Sequence, residues 1–151
     1  MKNYIFVSAL ALCVASAGCA GFEHTSTTTS PTAAGVSALM GTWASASSVI
    51  PSVSSCSDFK WNPTEQTPTS AKGSFSASCA GDLKVAGTAQ GTLSGTLITW
   101  TATGVAQAPS VPLCGITLTG TAELGANSIR VPYSGDTCLG KVSGVEILNK
   151  K

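Results

Sequence analysis

The sequence is poor in charge and, beyond its N-terminal leader, has no helical pattern. Only 10% of its 151 residues are charged and the formal net charge is +1, so we expect no basic surface for nucleic acid or anionic membrane. No downstream segment combines a helical period with an apolar face of helix length, which argues against a helical bundle. The chain is 43% hydrophobic, and Ser, Thr and Gly supply much of the rest, a composition typical of a secreted β protein.

Patterns for catalysis and metal binding are missing as well. The single histidine, His24, lies in a Thr-rich stretch, and there is no Cys-x-x-Cys pair for zinc. No Ser or Thr has a base to activate it, and no phosphate-binding glycine loop follows a strand into a helix. The acids are predicted to be solvated charges at turns and on outward strand faces: Asp58, Glu65, Asp82, Glu123, Asp136 and Glu146. We therefore predict a protein that is not an enzyme, with no cofactor and no metal.

Residues 1–18 have the features of an export signal. Lys2 supplies a positive start, and residues 4–17 ("YIFVSALALCVASA") form an apolar run of fourteen residues. This run is too short to span a hydrocarbon core about 30 Å thick, and it ends in small residues, as cleavage requires. The triplet "ASA" at residues 15–17 fits ordinary signal-peptidase cleavage, which would release a soluble periplasmic or secreted protein.

A second cleavage route centres on Cys19. "SAGC" at residues 16–19 resembles the lipobox of bacterial lipoproteins, which implies that Cys19 becomes the lipidated first residue and holds the protein at a membrane. The resemblance also implies the outer membrane, if the host has one, because Ala20 and not Asp follows the cysteine. Cys13 would leave with the leader, so that five of the six cysteines remain. Lipidation of Cys19 leaves an even number to pair, as expected of an exported protein.

The mature chain divides into a tether and a domain. Residues 20–37 ("AGFEHTSTTTSPTAAGVS") lack apolar periodicity and are rich in Thr, Ser, Ala and Gly, so they cannot bury enough surface to order themselves. We predict a flexible, lipid-anchored tether over residues 19–38. The domain is predicted over residues 39–151.

The domain shows the period-two alternation of half-buried strands. Residues 83–94 and 114–124 alternate between small or apolar residues on one face and mainly Thr on the other. Turn signals such as Gly81-Asp82 and Gly135-Asp136 separate the runs. About eight strands in sequential hairpins are predicted, forming an antiparallel all-β meander. Pro132 cannot donate a ladder hydrogen bond, so its strand is predicted to lie at an edge or to carry a bulge.

The sequence favours a barrel and leaves a β-sandwich as the alternative. "GTW" at residues 41–43 resembles the start of lipocalin-like and avidin-like up-and-down barrels, in which the Trp packs across the barrel floor. Four cysteines allow three pairings, and pairing in sequence order, Cys56 with Cys79 and Cys114 with Cys138, encloses loops of similar size. Each staple would then link neighbouring strands.

Two functions remain open for this domain. Six aromatic residues are either its core or a pocket for a small apolar ligand: Trp43, Trp61, Trp100, Phe59, Phe75 and Tyr133. The other function is a non-catalytic interaction or structural module that offers its Thr-rich sheet face to an envelope protein or a cell-wall polymer. The sequence favours the interaction module, because no concentration of polar anchors is present to orient a small ligand.

Overall fold

A computed structural model describes residues 35–109 and 111–151. One 3-10 turn, Val36–Leu39, precedes eight strands. The strands are β1 (Trp43–Ser45), β2 (Cys56–Gln66), β3 (Ser70–Cys79), β4 (Leu83–Ser94), β5 (Leu97–Ala108), β6 (Val111–Leu124), β7 (Ser128–Thr137) and β8 (Gly140–Lys150). The number of strands agrees with the prediction, and β4 has the predicted bounds.

The strands form a closed antiparallel barrel in sequence order. Each strand pairs with the next, and β8 returns to β1, where Trp43 lies opposite Lys150. The predicted barrel is therefore confirmed, and the sandwich alternative is wrong. Closure pairs both sides of every strand, which removes the exposed edges that an open sheet would have.

Alternation along each strand divides the side chains between a core and an outer face. In β4 the inward Leu83 and Val85 are buried, while the intervening Lys84 is exposed. The interior is narrow because inward glycines let neighbouring backbones approach closely. Gly87 and Gly104 face each other across β4 and β5, and a Cβ added to Gly104 would lie 2.1 Å from the carbonyl oxygen of Ala86.

The two disulfides lie at one end of the barrel, here called the disulfide end. Cys56 bonds to Cys79, its direct neighbour across β2 and β3, and Cys114 of β6 bonds to Cys138 in the β7–β8 turn. Both predicted pairings are confirmed. The opposite end, here called the entry end, carries the 3-10 turn and both Trp43 and Lys150. The turn begins within the segment predicted as tether, and its Leu39 is fully buried.

Pro132 does not lie at a sheet edge, contrary to one of the two predicted options. It lies in β7 with β8 on one side, opposite Val145, and β6 on the other. In the β6–β7 register, pairing skips from Thr119↔Ser134 to Glu123↔Arg130. The register of β6 against β7 is the same before and after this gap, so no bulge residue is inserted near Pro132. The ladder of hydrogen bonds is instead interrupted where Pro132 lacks an N–H to donate.

Candidate functional site

The six aromatic residues singled out in the sequence all lie on the inner face of the barrel. Trp43 seals the entry end: its indole N–H donates a 2.7 Å hydrogen bond to the carbonyl of Leu39, and the ammonium of Lys150 lies 5.4 Å from its ring centroid. Tyr133 lies toward the disulfide end, with its ring 5.1 Å from that of Phe59. Trp43 and Tyr133 thus fill the two halves of the interior as packing residues.

The other four aromatics line a small apolar cavity of about 60 Å³. Phe59, Trp61, Phe75 and Trp100 share its wall with small residues that leave the space open, namely Ala89, Gly91, Ala102 and Ala122. Pockets for drug-sized ligands measure about 300 to 1,000 Å³. The cavity as it stands is therefore smaller than such a pocket by a factor of about five.

The indole of Trp100 is the one buried side-chain donor without a partner in the described part of the chain. Its Nε1 lies against β6, where a Cβ on Gly120 would approach to 3.0 Å. Trp61, by contrast, donates its indole N–H to the carbonyl of Ala89 over 3.4 Å. Glycine at position 120 is what makes room for the Trp100 ring.

A polar cluster inside the barrel was missed by the sequence analysis. Glu146, predicted to be a solvated surface charge, faces inward and is only 8% exposed, so that prediction is wrong. It receives a hydrogen bond from the hydroxyl of Ser45, whose Oγ in turn accepts the backbone N–H of Phe59 at 2.7 Å. The sequence could have predicted this burial, because alternate residues of a strand point to the same face and Glu146 is separated from the buried Val142 and Leu148 on β8 by even numbers of positions.

Tyr133 completes this cluster. Its hydroxyl accepts the N–H of Cys56 at 2.6 Å and donates to the carbonyl of the same residue at 2.9 Å. Burial raises the pKa of Tyr133, partly offset by the bond to Cys56, and the charge of Glu146 raises it further. Burial likewise raises the pKa of Glu146, with the Ser45 hydroxyl acting in the opposite direction. These polar groups belong to β1, β2, β7 and β8 and lie on the inner face of the barrel, where they stabilise the packing of those four strands.

The outer face of β4 to β8 carries aligned rows of exposed polar side chains. The first row crosses five strands as Thr88, Thr103, Thr117, Asp136 and Lys141. The second row is Gln90, Thr101, Thr119, Ser134 and Ser143, and the third is Thr92, Thr99 and Thr121. We call these thirteen residues the hydroxyl face. Its two charges, Asp136 and Lys141, pair with each other at 2.9 Å.

A groove of about 860 Å³ lies where the first two rows cross β5 to β8. Its exposed walls are Thr103, Thr117, Thr119, Ser134, Asp136, Lys141 and Ser143. Gly104, Gly115 and Gly135 also line it, as do Ile116 and Val142. The groove is open to solvent, and its exposed hydrogen-bonding side chains are neutral apart from one ion pair.

The remaining residues singled out in the sequence differ in their exposure. Asp58 is half-buried, whereas Glu65, Asp82, Glu123 and Asp136 are exposed. Over residues 35–109 and 111–151, His, Cys, Asp and Glu side chains form no group of three able to hold a metal ion. Within the same ranges no helix has the length and hydropathy to cross a bilayer. Cys13, Cys19, Ala20, His24 and the predicted signal peptide lie outside the described residues.

Comparisons with protein-family models, with curated proteins and with solved structures found no match to this chain.

Proposed function

We propose that this chain is an exported envelope protein, held at a membrane by lipid on Cys19, whose barrel is a non-catalytic binding module. The two disulfides of the barrel support an oxidising compartment. The odd cysteine of the mature chain then has a role as the anchor. No nucleic-acid partner is proposed, because the hydroxyl face holds one cation and that cation is paired.

Intact mass of the mature protein tests the anchor. The expected species begins at Cys19, carries an acyl mass increment and gains four hydrogens when the two disulfides are reduced. A Cys19→Ser variant should lose the increment and leave the membrane fraction. A mature chain that begins at Gly18, or one that begins at Cys19 without acyl mass, would reject lipid anchoring.

The hydroxyl face carries the proposal of a binding module. Thirteen exposed polar residues stand in register over five strands with no net charge. Aligned donors and acceptors of this kind suit recognition by hydrogen bonds. The test is co-sedimentation of the Cys19→Ser protein, which removes the lipid, with delipidated cell-wall material and with membrane vesicles. Retention on either material above an unrelated barrel of equal size supports binding, and retention on neither would contradict it.

A small apolar ligand inside the barrel is the second candidate, favoured by the cavity of about 60 Å³ among four aromatic rings. Its size restricts the occupant to a few heavy atoms unless the wall opens. Trp61 and Trp100 would report binding through a change in fluorescence on titration with a panel of lipophiles. Unchanged fluorescence and an unchanged Tm across the panel would exclude this candidate.

A further inference from the structure

We propose that the groove on the hydroxyl face binds a neutral glycan strand. This inference rests on the proposed binding module and names its site and its ligand class. The groove has a volume of about 860 Å³ and is open to solvent along its length on the outer face. Its size and its exposed side chains, unlike those of the interior cavity, give a polar ligand direct access from solvent.

The chemistry of the groove matches a polyhydroxylated ligand. Each Thr or Ser hydroxyl donates one hydrogen bond and accepts two. Thr117, Thr119 and Ser134 can therefore pair with sugar hydroxyls that act either as donors or as acceptors. Neighbouring strands place such groups about 5 Å apart across the sheet. Asp136 and Lys141 add charge-assisted hydrogen bonds at one side of the groove, because their mutual contact occupies one carboxylate oxygen and one of three ammonium protons.

Other classes of partner fit this surface less well. Protein interfaces are anchored by aromatic residues and arginine, but every aromatic side chain between residues 35 and 151 lies on the inner face of the barrel. Anionic polymers need several unpaired cations, and the groove holds only Lys141, which is paired. The flat surface of a crystalline polymer also fits less well, because neighbouring β-strands are rotated by about 20° relative to each other. A single flexible glycan chain can follow that twist.

The groove lacks an aromatic platform for sugar rings, so we expect weak binding. Hydrogen bonds to solvent-exposed hydroxyls exchange with water at little net gain, which predicts a Kd on the order of 1 mM for one oligosaccharide. Anchored copies on a membrane would strengthen attachment to a long polymer through multivalency.

The test is a titration of the ¹⁵N-labelled Cys19→Ser protein with chitohexaose, followed by amide chemical shifts. Shifts should concentrate at Thr103, Thr117, Thr119, Ser134 and Ser143. The variant T117V/T119V removes two groove hydroxyls while keeping the side-chain shape, and we expect binding about tenfold weaker. The matched control T99V/T121V removes two exposed hydroxyls outside the groove, one on β5 and one on β6, and should change binding less than twofold.

Three results would overturn the inference. They are no saturable shift at millimolar chitohexaose, shifts confined to residues outside the groove, or equal binding by T117V/T119V and the control. Retention on cell-wall material together with any of these results would leave the binding module in place and reject the groove as a glycan site. Retention on neither cell-wall material nor vesicles would reject the module itself. Folding of each variant is checked by its amide spectrum, and S134A serves as a milder replacement if T117V/T119V unfolds.

Discussion

At the scale of single residues, the buried carboxyl of Glu146 links stability to pH. Glu146 is 8% exposed, and burial raises the pKa of its carboxyl above the ordinary 4.5. The folded state therefore binds its proton more tightly than the unfolded state does. Its contribution to stability is present in acid and is lost as pH rises from about 4.5 through the folded pKa.

We expect Glu146→Gln to raise the free energy of unfolding at neutral pH, because the amide keeps a partner for Ser45 and has no charge to bury. The difference from wild type should shrink toward acid pH, where the wild-type carboxyl is neutral. Urea denaturation at a series of pH values measures it. The control Glu123→Gln removes an exposed carboxylate from β6. A glutamine variant that is less stable at neutral pH and more stable in acid would refute this account.

Tyr133 provides a second test at this scale. Tyr133→Phe keeps the ring and removes the hydroxyl that satisfies both the N–H and the carbonyl of Cys56. Leaving a buried N–H unpaired should cost about 1 to 3 kcal/mol of unfolding free energy. Thr117→Val removes an exposed hydroxyl and should change it by less than about 0.5 kcal/mol. Equal losses for the two variants would show that the hydroxyl of Tyr133 contributes little.

At the scale of elements, the alternation of apolar and polar residues specifies the strands. Glycine determines how closely neighbouring strands pack. Residues 83–94 were predictable as a strand because the period of two is unbroken, and β4 has those bounds. β2 covers Cys56–Gln66, and its sequence shows no such unbroken alternation. Its register shifts between Ser57 and Lys60, and Asp58 has a positive φ of 51°. A bulge breaks the alternation on which the prediction depended.

Gly104→Ala tests the close approach of β4 and β5. The added Cβ would lie 2.1 Å from the carbonyl oxygen of Ala86, so the two strands must separate. We expect a loss of about 3 kcal/mol or more in unfolding free energy. Gly115→Ala is the matched control on β6, because its Cβ would meet nothing within 4 Å. A similarly small effect at both positions would show that the barrel wall yields easily at Gly104.

At the scale of the whole molecule, barrel closure and two disulfides hold a domain with many glycines together. The disulfides join residues 23 and 24 positions apart. Each closes a loop whose cross-link is worth about 3 kcal/mol in the chain-entropy model. Both lie at the disulfide end, whereas the entry end is held by Trp43 and the 3-10 turn. The two ends are therefore stabilised by different means.

The two disulfides should differ in their rate of reduction. Cys56 and Cys79 are 1% and 2% exposed, whereas Cys138 lies exposed in a turn. Under native conditions a phosphine reductant should open Cys114–Cys138 first, because a reductant must reach a sulfur atom. Alkylation at timed intervals followed by peptide mass analysis measures the order. Labelling of Cys56 and Cys79 first, or of all four together, would contradict the prediction and indicate global opening.

Taken alone, the sequence was sufficient for the all-β class and for a count of about eight strands, and it favoured the two observed disulfides among three possible pairings. Those properties follow from local alternation, turn residues and cysteine spacing. Closure, by contrast, depends on β1 meeting β8, over a hundred positions apart, and Pro132 lies between two partners for that reason.

The groove is also a product of tertiary structure. Thr103, Thr117, Ser134 and Ser143 belong to four different strands, and only register brings their hydroxyls into one surface. Alternation assigns each side chain to a face, whereas hydrogen-bonded pairing between distant strands decides which side chains become neighbours.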